Sequence, residues 1–258
     1  MSLQFSANLS FLFTEQDFPD RFGAAARAGF KGVEFHFPYE HDKAALAEVV
    51  LTSGVDVVLF NLPAGNWAGG ERGIACRPER KAEFQDGVGR AIEYAEALGC
   101  TRLNCLAGVP TTPQGKAIDT LIDNLKFAAA VTQRADIRLT MEPLNTRDTP
   151  GFLISTTTEA MQVIDAVGSK NLFLQYDIYH AQVMEGDLTR TLETLLPRIG
   201  HIQIADNPGR HEPGTGEINF SFLFRRLAEL GYAGWIGCEY QPSSMPEERF
   251  GWMSGVMR

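Results

Sequence analysis

Long apolar runs, histidine and positive charge are all scarce in this chain, and each scarcity removes a class of function. No run approaches the roughly 20 apolar residues that a membrane-spanning helix needs. The first residues, MSLQFSANLS, lack both the charged start and the continuous apolar stretch of a secretory signal. Net charge is −9, with 23 Lys and Arg against 32 Asp and Glu. A nucleic-acid partner would call for a basic face, so none is expected. The five histidines (His36, His41, His180, His201, His211) are too few to assemble a histidine-rich trinuclear zinc site of the endonuclease kind. The four cysteines (Cys76, Cys100, Cys105, Cys238) form no CxxC pair, which argues against a zinc ribbon or a disulfide framework. Cys105 and Cys238 fall in strand-like runs and are expected as buried thiols, with the cytoplasm as the default compartment.

What is present is repetition. Strand-like runs occur at Leu3–Asn8, Gly32–Phe35, Val55–Asn61, Arg102–Leu106, Arg138–Glu142, Leu172–Asp177, His201–Ala205 and Trp235–Glu239. Between them, helical periodicity covers Asp17–Ala28, Asp42–Thr52, Pro78–Leu98, Gly115–Arg134, Thr158–Val167, Leu188–Leu196 and Phe220–Leu230. Gly29, Gly54, Gly99, Gly168 and Gly231 each follow a helix, where a left-handed cap belongs. Alternating strands and helices predict a parallel sheet, and eight repeats favour a closed (β/α)₈ TIM barrel over an open doubly wound one. No GxGxxG follows the first strand, which removes the dinucleotide-binding alternative. No linker-like composition divides the 258 residues, so one domain is expected over 1–258, with 242–258 a C-terminal tail on or near the barrel. Within that tail, Trp252 either caps the barrel or meets a partner subunit. A homo-oligomer is left open.

Four of the late strands end on a polar side chain: Glu142 in RLTMEP, Asp177 in LFLQYD, Gln203 in HIQIAD and Glu239 in WIGCEY. Strand alternation sends Leu139 and Met141, Leu174 and Tyr176, Ile202 and Ile204, and Ile236 and Cys238 outward toward the helices. All four polar residues then fall on the inward parity, at the strand ends where barrel enzymes hold substrate. Three carboxylates crowded together raise one another's pKa values unless a cation neutralises them. An oxygen-only set of two Glu, one Asp and a Gln amide suits Mg²⁺ or Mn²⁺ better than zinc.

Around this set lie candidates for substrate contact. His180, in DIYH, either bonds a substrate oxygen or simply begins the next helix. His36, in EFHFPY, belongs at the pocket rim with Glu34 on the same parity. His201 lies deeper, as a satisfied interior histidine. Two glycine-rich loops, NLPAGNWAGGERG and DNPGRHEPGTGEIN, bring Arg72 and Arg210, either of which can fork onto a carboxylate.

The strings SANLSFLF, NLPAGNWAGGERGIAC, EPLN, QYDIYHAQ, HIQIADNPGRHEPGTGEIN and GWIGCEY together resemble the hydroxypyruvate isomerase family, among the xylose-isomerase-like TIM barrels. The resemblance runs from Phe5 to about Tyr240. It implies a divalent-metal site at Glu142, Asp177, Gln203 and Glu239, and it implies that Glu142 and Glu239 are the proton donor/acceptor pair. Gln203 stands where the related ketose epimerases carry a His, and Asp148 where they carry a substrate-contacting Glu. The implied substrate is a small hydroxy-keto acid: hydroxypyruvate, isomerised to tartronate semialdehyde, or the longer acid of a 2-oxo-tetronate isomerase. A non-catalytic sugar-acid binding protein remains the alternative outside enzymes.

Overall fold

A computed structural model describes residues 3–243 and 249–255. Eight strands run in chain order: β1 (Gln4–Asn8), β2 (Gly32–Phe35), β3 (Asp56–Asn61), β4 (Arg102–Cys105), β5 (Arg138–Met141), β6 (Leu172–Asp177), β7 (Ile199–Ile204) and β8 (Trp235–Cys238). Every neighbouring pair is parallel, and β8 returns to β1 through Gln4↔Trp235 to Ala7↔Cys238, closing the barrel. The helices are α1 (Phe18–Arg27), α2 (Lys43–Ser53), α3 (Lys81–Leu98), α4 (Gln114–Arg134), α5 (Thr157–Val167), α6 (Ile178–Met184), α7 (Leu188–Leu195) and α8 (Phe220–Glu229). The closed barrel expected from the repeats is therefore the fold.

Local chemistry explains the boundaries. Gly54, Gly99 and Gly168 cap α2, α3 and α5 with φ of 69°, 67° and 68°, a region open to glycine at little cost. Thr156 and Glu159 bond reciprocally in a capping box that starts α5. The differences from the sequence reading are small except at one place. β7 begins at Ile199 rather than His201, and α6 follows β6 directly with Asp177 as its N-cap. Seven residues leave too little periodicity to announce a helix.

Apolar side chains from the outward strand parity fill the layer between barrel and helices, with Phe5, Phe22, Phe30, Phe35 and Phe60 almost wholly enclosed. At the N-terminal end of the barrel, Gly32 leaves space that Trp235 and Val58 occupy, and Gly200 leaves space for Phe173 and Thr140. The opposite end is different: its inward residues are polar. Cys105 and Cys238 are buried free thiols, as the strand placement predicts.

Of the C-terminal tail, residues 242–243 and 249–255 are described. Trp252 stacks on Phe224 of α8 at 5.7 Å, meets Phe5 of β1 edge-on at 5.2 Å and donates from its indole N–H to the Tyr240 hydroxyl at 3.1 Å. It thus lies on the outer flank of β1, away from the barrel mouth. Residues 244–248 and 256–258 lie outside the described residues.

Candidate active site

At the C-terminal end of the barrel, the inward side chains form one hydrogen-bonded floor. Asn104 (β4) donates to Asn61 Oδ1 (β3) and to Glu142 Oε2, both at 3.1 Å. Gln175 (β6) donates to Glu142 Oε2 at 3.0 Å and to the Gln203 carbonyl at 2.7 Å. The Gln203 amide nitrogen donates in turn to Glu34 Oε1 at 2.8 Å and to Glu239 Oε2. Carboxylates accept only, so two of them fix which way the Gln203 amide faces. Glu34 also accepts from Ser6, Asn8 and His201, at 2.8, 3.1 and 2.8 Å. Its carboxylate lies where a Cβ on Gly237 would stand, 2.2 Å from Oε1, so residue 237 has to lack a side chain.

Glu142, Gln203 and Glu239 line a cavity of ≈ 210 Å³ together with His36, Arg72, His180 and Arg210. The volume suits a molecule of a few heavy atoms. Asp177 is set back from the wall: its Oδ1 accepts from the Tyr179 N–H at 2.8 Å, and its Oδ2 lies 3.6 Å from His180 Nε2 and 3.7 Å from Arg210. The candidates from β5 to β8 thus meet with both glycine-rich loops at one mouth.

The two glutamates live in opposite electrostatic surroundings. Burial, then the charges of Glu239 and Asp177, push the Glu142 carboxyl well up. Burial pushes Glu239 the same way, but His36 at 3.3 Å and the Arg210 guanidinium at 2.8 Å outweigh it and hold Glu239 below the ordinary range. Glu142 Oε2 already accepts two N–H bonds, so a proton on this group sits on Oε1, which has no partner. Asp177 is raised to about 7, chiefly by burial.

His180 is buried, and its Nδ1 faces two donors: the Asn145 backbone N–H at 3.1 Å and the Asn145 side-chain nitrogen at 2.7 Å. The Asn145 carbonyl oxygen is committed to the N–H groups of Arg147 and Asp148, so that side chain cannot turn. Burial, then the charge of Arg210, drives the His180 pKa well down. The ring is therefore neutral with its hydrogen on Nε2, a donor aimed at the cavity. Asn145 escapes a sequence reading because its partner lies 35 positions away.

Arg210 adopts φ +57°, an uncommon backbone state for a side-chain-bearing residue. That conformation brings its guanidinium onto Glu239 and Asp177, between the rings of Phe11 (4.8 Å) and Tyr179 (5.2 Å). Arg72 lies over Trp67 at 4.2 Å, and Trp67 packs against His36 with ring centroids 5.3 Å apart. The polar floor beneath these groups went largely unread in the sequence. Its signal was polar residues in strand parity with apolar neighbours, as in QFSAN, GVEF and RLNC.

The fit of these residues to a divalent cation rests on two orphaned atoms. Glu142 Oε1 and Asp177 Oδ2 are buried without any hydrogen-bond partner, which suits hard oxygen ligands awaiting a cation. Ligand atoms of Glu142, Asp177 and His180 lie within 4.8 Å of one another. The hydrogen on His180 Nε2 makes that residue a donor rather than a ligand.

Comparison with known proteins agrees with this fold. The profile of the xylose isomerase-like TIM barrel family matches residues 22–256. Hydroxypyruvate isomerase of Escherichia coli K12 is 52% identical over 97% of this chain and 98% of its own length. A 2-oxo-tetronate isomerase of Cupriavidus necator is 43% identical, with 97% of each chain covered. A crystal structure from Brucella melitensis, described as an AP endonuclease of family 2, shares 42% identity, with a TM-score of 0.96 and full coverage of both chains. The chain belongs to the xylose isomerase-like TIM barrel family, on the branch that holds the hydroxypyruvate isomerases.

Proposed function

We propose that this protein interconverts hydroxypyruvate and tartronate semialdehyde by proton transfer between two glutamates. The observation that carries the reading is the opposed pair at one cavity, with Glu142 pushed up by burial and neighbouring carboxylates and Glu239 held down by His36 and Arg210. Groups whose surroundings drive their pKa values apart are what general acid–base chemistry needs. In the forward direction a proton leaves C3 of hydroxypyruvate to one glutamate, giving an enediolate across C2 and C3. The other glutamate returns a proton to C2, while the hydroxyl proton passes from the C3 oxygen to the C2 oxygen. His180 Nε2–H is positioned to donate to the oxygen on which charge develops, and its neutrality keeps it from giving up that proton outright. Arg210 holds Glu239 in place and shares its charge.

Glu142 and Asp177 would hold a divalent cation, Mg²⁺ or Mn²⁺, through their orphaned oxygens, the ion taking the place of a proton on Glu142 Oε1. Gln203 and Glu239 would complete the set by giving up part of their present hydrogen bonding. When bound, such an ion supplies Lewis-acid stabilisation to oxygen-centred charge. The same proposal places the protein in the cytoplasm, which the four buried free cysteines favour. Among the described residues, no helix is long and apolar enough to cross a membrane.

The 2-oxo-tetronate isomerase reading is favoured by the 43% identical relative and uses the same pair on a longer acid. The nuclease description of the Brucella neighbour has little support here, given a net charge of −9 and a site with two histidines, one neutral and a donor.

The test is proton exchange in D₂O. Wild-type protein is expected to exchange the C3 hydrogens of hydroxypyruvate and to form aldehyde, both followed by NMR, with loss on EDTA treatment and recovery with Mg²⁺ or Mn²⁺. Glu142→Gln and Glu239→Gln are each expected to lower exchange by at least about 100-fold with the fold intact. Wild-type exchange in either variant removes that residue from the pair. Faster turnover of 2-oxo-tetronate than of hydroxypyruvate moves the assignment to the longer acid.

A further inference from the structure

The cavity has two arginines in its wall, and the structure treats them differently. Arg210 is charge-paired: one Nη lies 2.8 Å from Glu239 and 3.7 Å from Asp177, and aromatic rings lie against its guanidinium, although its Nε is buried without a hydrogen-bond partner. Arg72 pairs with no carboxylate among the described residues. Its hydrogen bonds among the described residues run from Nη1 to two backbone carbonyls, of Trp67 at 3.1 Å and Glu71 at 2.9 Å. The Nε and Nη2 hydrogens are left over, and that edge of the guanidinium is the fork that matches a carboxylate.

The loop carrying Arg72 is built to keep it so. Glu71, its neighbour in sequence, turns its carboxylate the other way. One oxygen accepts from the Asn66 N–H at 2.6 Å, and the other takes Arg77 and Arg80, the latter at 2.8 Å. Of the three arginines on this stretch, Arg77 and Arg80 pair with Glu71, Arg80 also with Glu83, and the third faces the cavity. The Trp67 ring under its guanidinium at 4.2 Å fixes the plane of the fork without consuming a donor. Trp67 touches His36, and His36 lies 3.3 Å from Glu239, so Arg72 belongs to the wall that carries half of the acid–base pair. Asp148 and Glu239 also line that cavity, and negative charge on them would meet an anionic substrate with repulsion.

We propose that Arg72 docks the carboxylate of the substrate, and that Arg72 rather than Arg210 sets the preference for 2-oxo acids over neutral ketoses. The proposal rests on the isomerase reading above. It adds the group that orients the molecule, acid end on the loop after β3, reacting carbons at the glutamates.

The experiment compares hydroxypyruvate with dihydroxyacetone, its neutral counterpart in which CH₂OH replaces the carboxylate. Kinetics of deuterium exchange are measured for both on wild-type, Arg72→Gln and Arg72→Lys proteins, with hydroxypyruvate binding by calorimetry. In Arg72→Gln, kcat/KM for hydroxypyruvate is expected to fall by roughly 10- to 100-fold, mainly through KM, as befits one charge-assisted pair. The ratio of acid to neutral turnover falls with it, and Arg72→Lys recovers part of the ratio. An equal fall on both compounds, or an unchanged KM for hydroxypyruvate, overturns the proposal. If the wild-type protein exchanges neither compound, the isomerase reading fails instead. Calorimetry then still decides Arg72, because hydroxypyruvate bound as tightly by Arg72→Gln as by wild type overturns its docking role.

Discussion

Glu34 shows how much of this site depends on residues that touch no substrate. Its two oxygens accept from four side chains, and nothing in the barrel floor offers them a fifth donor to spare. Glu34→Gln sets an NH₂ either against the Asn8 and Gln203 amides, which can only donate there, or against Ser6 and His201, which must turn from donor to acceptor, and a loss of about 1–3 kcal/mol is expected in urea unfolding. Stability within about 0.5 kcal/mol of wild type would show that the floor rearranges freely. Gly237→Ala should reproduce the loss, because its methyl group would displace the same carboxylate. The polar letter in GVEF was readable as an inward residue, the parity mate of His36. Its role was not, because its partners lie on β1 and β7, up to 169 positions away, and no periodicity encodes them.

At the scale of elements, Asp177 serves α6 as well as the candidate metal site. Its Oδ1 caps the helix and its Oδ2 is the orphan. The two duties separate by substitution. Asn caps as well as Asp, so Asp177→Asn should keep stability, whereas Asp177→Ala should lose about 1 kcal/mol. Both should weaken Mn²⁺ binding in calorimetry. Equal stability of the two variants would mean that the cap contributes nothing. The loop after β3 allows a parallel test: Glu71→Ala removes the acceptor shared by the Asn66 N–H, Arg77 and Arg80, and loosening the loop in this way should raise KM severalfold while kcat changes little. A fall in kcat with KM unmoved would place the effect of Glu71 elsewhere. The strand ends that carry Glu142, Asp177, Gln203 and Glu239 were legible because alternation is a local pattern. The tautomer of His180 was not, because it is set by Asn145 from another loop.

For the molecule as a whole, eight repeats and their glycine stops were enough to read the barrel, since each βα unit announces itself within some 30 residues. Closure of β1 on β8 leaves no local trace, and neither does the packing of Trp252 over that junction. Trp252→Ala is expected to cost about 2–4 kcal/mol in thermal or urea unfolding while Mn²⁺ affinity stays as in wild type. Loss of metal binding in that variant would tie the tail to the mouth instead. Across the interior, Glu142, the residue after β5, and Glu239, the residue after β8, are joined through two amides, Gln175 and Gln203. A neutral histidine at 203 brings one N–H where Gln203 supplies two, so Glu34 or Glu239 would go short. A single change of Gln203 to His is therefore expected to leave one of the two carboxylates without its donor. A lineage or a designer wanting an imidazole there must first relieve Glu34, which makes the history of this site contingent on the order of its changes.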